Sequence, residues 1–257
     1  MQAKGHIEKL PQAPLQEVIF ELHWKLDIDK ESSLNLDPHF QLASGRFDQL
    51  ASEQLPNYVS LKPPMMPDQF FAYRAVHQYW AGEKIYPVMQ LGPGLFSVNE
   101  TEKNYVWKNF KSNILQGVEW LRKSYRNELN LDFIELRYID AVEMNDDEAL
   151  NLTKYLEDNL KIGIKSQIEL PKNALKGMQF AQRFKLENDN YLNLVFNNGV
   201  RNIDEAKVVV WHTSINKTGV IKFEELEKWV DNAHDICSGM FKQIISEQLY
   251  ERFSKTN

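Results

Sequence analysis

The sequence holds a single cysteine, Cys237, among 257 residues. One thiol cannot close an internal disulfide or build a cysteine metal cage, and such sparing use fits a reducing compartment. The six histidines form no H-x-x-x-H or H-E-x-x-H spacing, so no metal site is expected. No G-x-S-x-G elbow occurs. Gly92-Pro93-Gly94 lacks the glycine spacing and lysine of a phosphate loop, and its proline removes a donor amide.

Long apolar runs are missing as well: no stretch approaches the roughly 18 residues that span a bilayer. The first twenty residues contain no basic segment leading into an apolar core. The expectation is a cytoplasmic protein without a membrane partner. Basic residues are not in excess either, with 30 Lys and Arg against 36 Asp and Glu and a net charge of −6. That scattered, acidic balance argues against nucleic acid as a partner.

What is present is ordinary globular composition, 43% hydrophobic and 26% charged, at a length that suits one domain over 1–257. The chain is organised around Leu131 to Glu143, LDFIELRYIDAVE. Ile134, Leu136, Tyr138 and Val142 alternate with Glu135, Arg137 and Glu143, as in a half-buried strand. Asp140 interrupts the apolar row, and a carboxylate there is costly unless paired, so the strand is expected to leave the core at that point.

The same alternation marks a first strand through Val18, Phe20, Leu22 and Trp24. Asp37 with Pro38 reads as the cap and first position of a helix carrying Phe40, Phe47 and Leu50. Pro56, Pro63, Pro64 and Pro67 make 56–69 a proline-rich loop. Strands are predicted from Phe70 to Trp80, from Ile85 to Leu91 and from Leu95, the last two closed by the Gly-Pro-Gly turn. Asn99 and Glu102 read as caps of a long helix bearing Val106, Phe110, Ile114, Val118 and Leu121. After the central strand, a helix is predicted from Asn145 and a hairpin across Glu187 to Asn190. A turn over Asn197 to Asn202 leads into a strand from Lys207 to Thr213. A long helix from about Lys222 to Phe253 closes the chain, with Cys237 on its apolar stripe.

Residues 17–127 and 132–254 thus share one pattern: strand, helix, three strands, long helix. The predicted fold is α+β, a predominantly antiparallel sheet with two long helices on one face, built of two pseudo-equivalent halves.

The segments APLQEVIFELHW, YPVMQLGPGLFSVNETEKNYVWKNF, LDFIELRYID and WVDNAHDICSGMFKQIISEQLYERF occur in an order that resembles a sporadically distributed bacterial family of chains about this long. That family is a conserved-domain family without an assigned activity. Pro14, Leu15 and Glu17 match its opening, Arg137 and Tyr138 its central arginine-tyrosine pair, and His234 followed by Phe241 its late histidine. The resemblance implies a cytoplasmic protein and, through its patchy distribution, a link to mobile or defence gene islands.

Candidate chemistry is sparse. Glu135 and Arg137 lie two apart on one strand face and are expected to pair, although Arg137 could also hold an anion. His212 and Ser214 share a strand face, and His234 lies near the start of the following helix. The expectation is that His234 is hydrogen-bonded near the helix-sheet junction, with a polar cluster of the three as the minor alternative. Cys237 is expected to be an inert buried thiol. No catalytic residue and no cofactor is assigned. The leading expectation is a non-enzymatic module that engages a protein partner, or itself, through a sheet face or the proline-rich loop. The alternative is a sensor or enzyme for a nucleotide or other small anionic ligand, contacted by Arg137, Tyr138, His212 and His234.

Overall fold

The computed structural model describes residues 10–126, 129–165 and 177–255. It is α+β, dominated by one nine-stranded antiparallel sheet. The strands are β1 (Leu15–Trp24), β4 (Asn57–Ser60), β5 (His77–Gly82), β6 (Ile85–Gly92), β7 (Leu95–Thr101), β8 (Leu131–Glu143), β9 (Gln179–Lys185), β10 (Asn190–Val200) and β11 (Lys207–Thr218). Two short strands, β2 (Asp27–Ile28) and β3 (Asn35–Leu36), pair separately. In the large sheet the order is β4-β5-β6-β7-β1-β8-β11-β10-β9, which puts β1 beside β8 at the centre.

The alternating pattern sets the register, because a slip of one residue would turn every apolar side chain to the wrong face. One row crosses all nine strands: Tyr58, Tyr79, Met89, Val98, Phe20, Leu136, Ile215, Leu192 and Phe184. Its interior members are buried, and only its two ends, Tyr58 and Phe184, are exposed.

Helices cover this row. They are α1 (Phe40–Ala51), α2 (Trp107–Ser124), α3 (Asp146–Leu150), α4 (Leu152–Leu160), α5 (Leu226–Ile244) and α6 (Glu247–Ser254). α2 packs on β7 and against α1, while α5 packs on β11 and β8. Lys111 of α2 reaches Asp231 at 2.8 Å and Glu227 at 2.9 Å on α5, which ties the two long helices together. Among the described residues no helix is long and apolar enough to cross a membrane. Of the two expected halves, 127 and 166–176 lie outside the described residues.

Several expectations are corrected. α1 begins at Phe40 with His39 as its cap. Asp37 keeps a cap-like bond ahead of it, its Oδ1 accepting from the His39 amide at 3.2 Å, while its Oδ2 accepts from the Trp24 indole at 3.0 Å and the Tyr125 hydroxyl at 2.8 Å. Likewise Asn99 does not cap α2, since it lies within β7 and donates to Glu17 at 2.8 Å. Asp68–Phe71 is a short 3-10 turn, so the strand expected from Phe70 starts only at His77. β10 runs on to Val200, through the residues expected to turn. The helix expected from Asn145 forms, with Asn145 and Glu148 closing a capping box at its start, but it breaks at Asn151 into α3 and α4.

The last helix also breaks, at Ile245, where the backbone becomes extended. Ser246 then caps α6, its hydroxyl accepting from the Leu249 amide at 3.2 Å. Finally, β8 does not leave the core at Asp140. The strand continues to Glu143, and Asp140 is only 5% exposed.

Candidate functional site

Burying Asp140 creates the most distinctive site in the molecule. Tyr138 and Asp140 are two apart on β8, so both project from the helix-covered face. Thr213 of β11 sits directly across from Tyr138 in the ladder. Above them α5 presents His234, Cys237 and Phe241, spaced to share one helix face. Tyr105 and Trp107 approach from the start of α2, and the break at Ile245 lets α6 swing Tyr250 over the opening. Leu10, Ala13, Pro14 and Leu15 complete the wall. The cavity is open to solvent on one side and has a volume of about 600 Å³, within the usual range for a small-molecule site.

A chain of hydrogen bonds lines one side. The Tyr105 and Tyr138 hydroxyls are 2.9 Å apart, and the Tyr138 hydroxyl is 2.8 Å from Nδ1 of His234. Trp107 stacks on the other face of this arrangement, its ring centroid 3.8 Å from that of His234. Burial lowers His234 to about 4, so the imidazole is neutral near neutral pH. One consistent proton assignment has Tyr105 donating to Tyr138 and Tyr138 donating to Nδ1, which leaves Nε2–H of His234 as a donor. Burial raises both tyrosine hydroxyls above their ordinary value, so they stay protonated.

The floor is different in kind. Asp140 has no hydrogen-bond or ion-pair partner among the described residues, and burial raises its carboxyl to about 7. The Thr213 hydroxyl, also on the floor, is buried and unpartnered among the described residues. The Trp211 indole N–H, across the ladder from Asp140, is unpartnered in the same sense. Buried polar groups are nearly always satisfied, so a cluster of exceptions points to a missing partner. Cys237 is buried, and burial followed by the nearby Asp140 pushes its thiol up, leaving it a poor nucleophile. Among the described residues no group of three or more His, Cys, Asp and Glu is arranged to hold a metal ion.

The four residues singled out from sequence divide between the two faces of the sheet. Tyr138 and His234 meet in the cavity. Arg137 and His212 lie on the opposite face, where Arg137 pairs with Glu135 as expected and Ser214 sits across from Arg137. His212 therefore cannot join His234 in a cluster, and its own basicity is lowered by burial and by Arg137. Sequence reasoning missed Tyr105, Trp107, Thr213 and Asp140. Only Asp140 carried a signal, a carboxylate set in an apolar row.

No protein-family model matches the sequence, and neither does any of the curated proteins compared with it. Among solved structures, the chain is similar to the di-domain ARO/CYC StfQ from the steffimycin biosynthetic pathway. Identity is 10%, the match covers 93% of this chain and 96% of that one, and the TM-score is 0.23. A likeness of that degree carries no argument about function.

Proposed function

We propose that the chain is a small-molecule binding protein whose working part is the cavity between α2, α5 and the β8–β11 floor. One observation carries this reading: in the lining of a largely aromatic and aliphatic chamber, Asp140 is 5% exposed with no hydrogen bond or ion pair among the described residues, and beside it the Thr213 hydroxyl is buried and unpartnered in the same sense. A polar group left so costs about 1–3 kcal/mol, which a ligand supplying the missing hydrogen bond would offset. We read the protein as a binder rather than a catalyst, because the thiol in the wall is held protonated and the imidazole is already committed to Tyr138. The ligand's polarity also differs from the anionic expectation. Arg137 faces away, and the innermost group of the cavity is a carboxyl.

Ligand-observed NMR with a fragment set spanning neutral, cationic and anionic aromatics tests the reading. Ser238 lines the cavity, and Ser238→Phe would fill it. Fragments that bind the native protein should lose binding in that variant. If no fragment of any charge behaves so, the cavity is not a ligand site.

We also propose that the chain consists of two versions of one strand-helix-strands-helix unit, each roofed by its own long helix. Support comes from the strand order, in which β1 and β8, the first strand of each run, meet at the centre, and β7 and β11, the last of each run, flank them. The cavity would then form at the junction, with Tyr105 and Trp107 from one unit and Asp140, Thr213 and His234 from the other.

A second reading, self-association, is favoured by the sheet edge. β4 is an edge strand with all four residues exposed, and Tyr58, Val59, Leu61, Met65, Met66 and Phe70 stand exposed on or just after it. Unpaired strand edges with apolar side chains recruit other strands. A second copy pairing β4 to β4 should appear as a dimer in sedimentation, and Val59→Pro should return it to monomer. A monomer at all concentrations would remove this reading.

A further inference from the structure

The cavity's geometry points to a positively charged nitrogen as the group that Asp140 receives, so we propose that the ligand is an amine with an apolar, aromatic-sized body. This rests on the reading of the cavity as a ligand site and goes further by naming the ligand's charge and where it sits.

The argument begins with what surrounds the carboxyl. On β8 its neighbour two residues away is Tyr138, and across the ladders lie Leu15 of β1 and Trp211 of β11. Thr213 lies diagonally on β11, Cys237 comes from α5, and Tyr105 approaches ahead of α2. None of these carries a positive charge at neutral pH, and His234 is neutral there. The lysines nearest the chamber, Lys108 and Lys242, are exposed at its mouth and make no ion pair with Asp140. A carboxylate enclosed in this way is stable only when a cation or a strong donor is brought to it.

The walls favour the cation. Tyr105, Trp107, Phe241 and Tyr250 line the space above Asp140. Aromatic faces attract an ammonium through their negative π surfaces, and most strongly where water is excluded. An anionic ligand would meet a carboxyl at the floor and electron-rich rings at the sides, with only the exposed ammoniums of Lys108 and Lys242 at the lining to favour it. A neutral ligand would have a hydrogen-bond donor for Asp140 but would gain nothing from the rings' electrostatics.

Burial alone raises Asp140 to about 7, which makes binding depend on pH in a defined direction. A primary amine stays protonated throughout the range from about pH 6 to about pH 8, so only the carboxyl changes state. Its ionised fraction grows with pH, and amine affinity should grow with it.

Calorimetric titration with three matched probes, 1-naphthylmethylamine, 1-naphthalenemethanol and 1-naphthoate, separates the possibilities. At about pH 8 the amine should bind about tenfold or more tighter than the alcohol, with naphthoate weakest, and at about pH 6 the amine's affinity should fall by about tenfold while the alcohol's holds. Asp140→Asn should erase the difference between amine and alcohol. If that variant does not fold, the pH comparison in the native protein decides alone. Equal binding of amine and alcohol, unchanged by pH, overturns the amine assignment and leaves the cavity as a ligand site. Binding of none of the three overturns both.

Discussion

Trp107 lies face to face with His234, ring centroids 3.8 Å apart and planes 8° from parallel. The stack shields the imidazole from water on one side while Tyr138 holds its Nδ1 at 2.8 Å. Desolvation is the largest cause of His234's low basicity, and Trp107 is a large share of the surface that excludes water. Trp107→Ala should therefore raise His234 from about 4 towards its ordinary 6.5, by about one unit or more. An NMR titration of the ring protons measures this directly. An unmoved titration would mean that the sheet and α5, rather than the indole, set the value.

His234 and Asp140 act on stability in opposite senses. Folding lowers His234 to about 4 from 6.5, so its contribution is complete above 6.5 and is lost as pH falls towards 4. Folding raises Asp140 to about 7 from 3.8, so its contribution is complete below 3.8 and is lost as pH rises towards 7. Between about pH 4 and 6.5 the two slopes offset each other in the native protein. Asp140→Asn should expose the histidine's slope, making stability climb with pH across that window, and His234→Gln should make it fall. Each change is on the order of a few kcal/mol across the window. Urea unfolding at several pH values reads both, and parallel curves for all three proteins would count against the buried-carboxyl account.

Glu135 is buried at 5% exposure and its guanidinium partner is Arg137. Removing the cation alone by Arg137→Met strands a carboxylate, at a cost of about 1–4 kcal/mol given that Arg137 is itself partly exposed. Changing both residues, Glu135→Gln with Arg137→Met, should recover most of that loss. Because the pair lies on the face away from the cavity, neither variant should alter ligand affinity. A denaturation series together with calorimetry separates the two effects, and altered affinity in the single variant would connect the faces in a way the packing does not.

The sheet was legible because its strands alternate over long runs; β1 and β8 declare their buried faces residue by residue. What escaped was set by contacts between distant segments. Asp37 looked like a helix cap because its sequence neighbours fit one, and its Oδ1 does accept from the His39 amide, but its Oδ2 is also the shared acceptor of the distant Trp24 indole and Tyr125 hydroxyl, which no local pattern announces. The break after Ile244 has no proline or glycine to announce it; Ser246 is fixed from outside, its amide donating to the Asn159 carbonyl at 2.8 Å. For the cavity, alternation placed Tyr138 on the core face, but Tyr105 and Trp107 enter by the angle of α2, which no periodicity encodes. Asp140 was visible as a violation and misread, because the cost of burial was given more weight than the use a cavity makes of it.

Asp37 supports a clean test of those long-range contacts. Asp37→Ala leaves the buried Tyr125 hydroxyl and the Trp24 indole N–H without their shared acceptor, costing about 2–4 kcal/mol. Asp37→Asn keeps an acceptor oxygen in place and should lose less than half as much. Equal losses from both would show that the negative charge, not the accepting oxygen, is what these donors require. Thermal and urea unfolding of the two variants decide it.

Two helical glycines should respond oppositely to the same substitution. Gly45 in α1 is exposed, and a Cβ there meets nothing within 4 Å, so Gly45→Ala should stabilise by the helix-propensity difference of about 0.8–1 kcal/mol. Gly117 in α2 lies against the sheet, where a Cβ would come within 2.5 Å of Phe96 Cζ and 2.9 Å of Met89 Sδ. The same propensity gain of about 1 kcal/mol is available at Gly117, but overpacking against a fully buried ring costs about 1–3 kcal/mol, so the net change should be destabilising. Met89→Ala in the Gly117→Ala background vacates part of that space. The double variant should therefore lose less than the sum of the two single losses. Additive losses would mean that α2 shifts away from the sheet instead of pressing on Met89. The position of α2 also sets Tyr105 and Trp107, so in that case amine or fragment affinity at the cavity would fall together with stability.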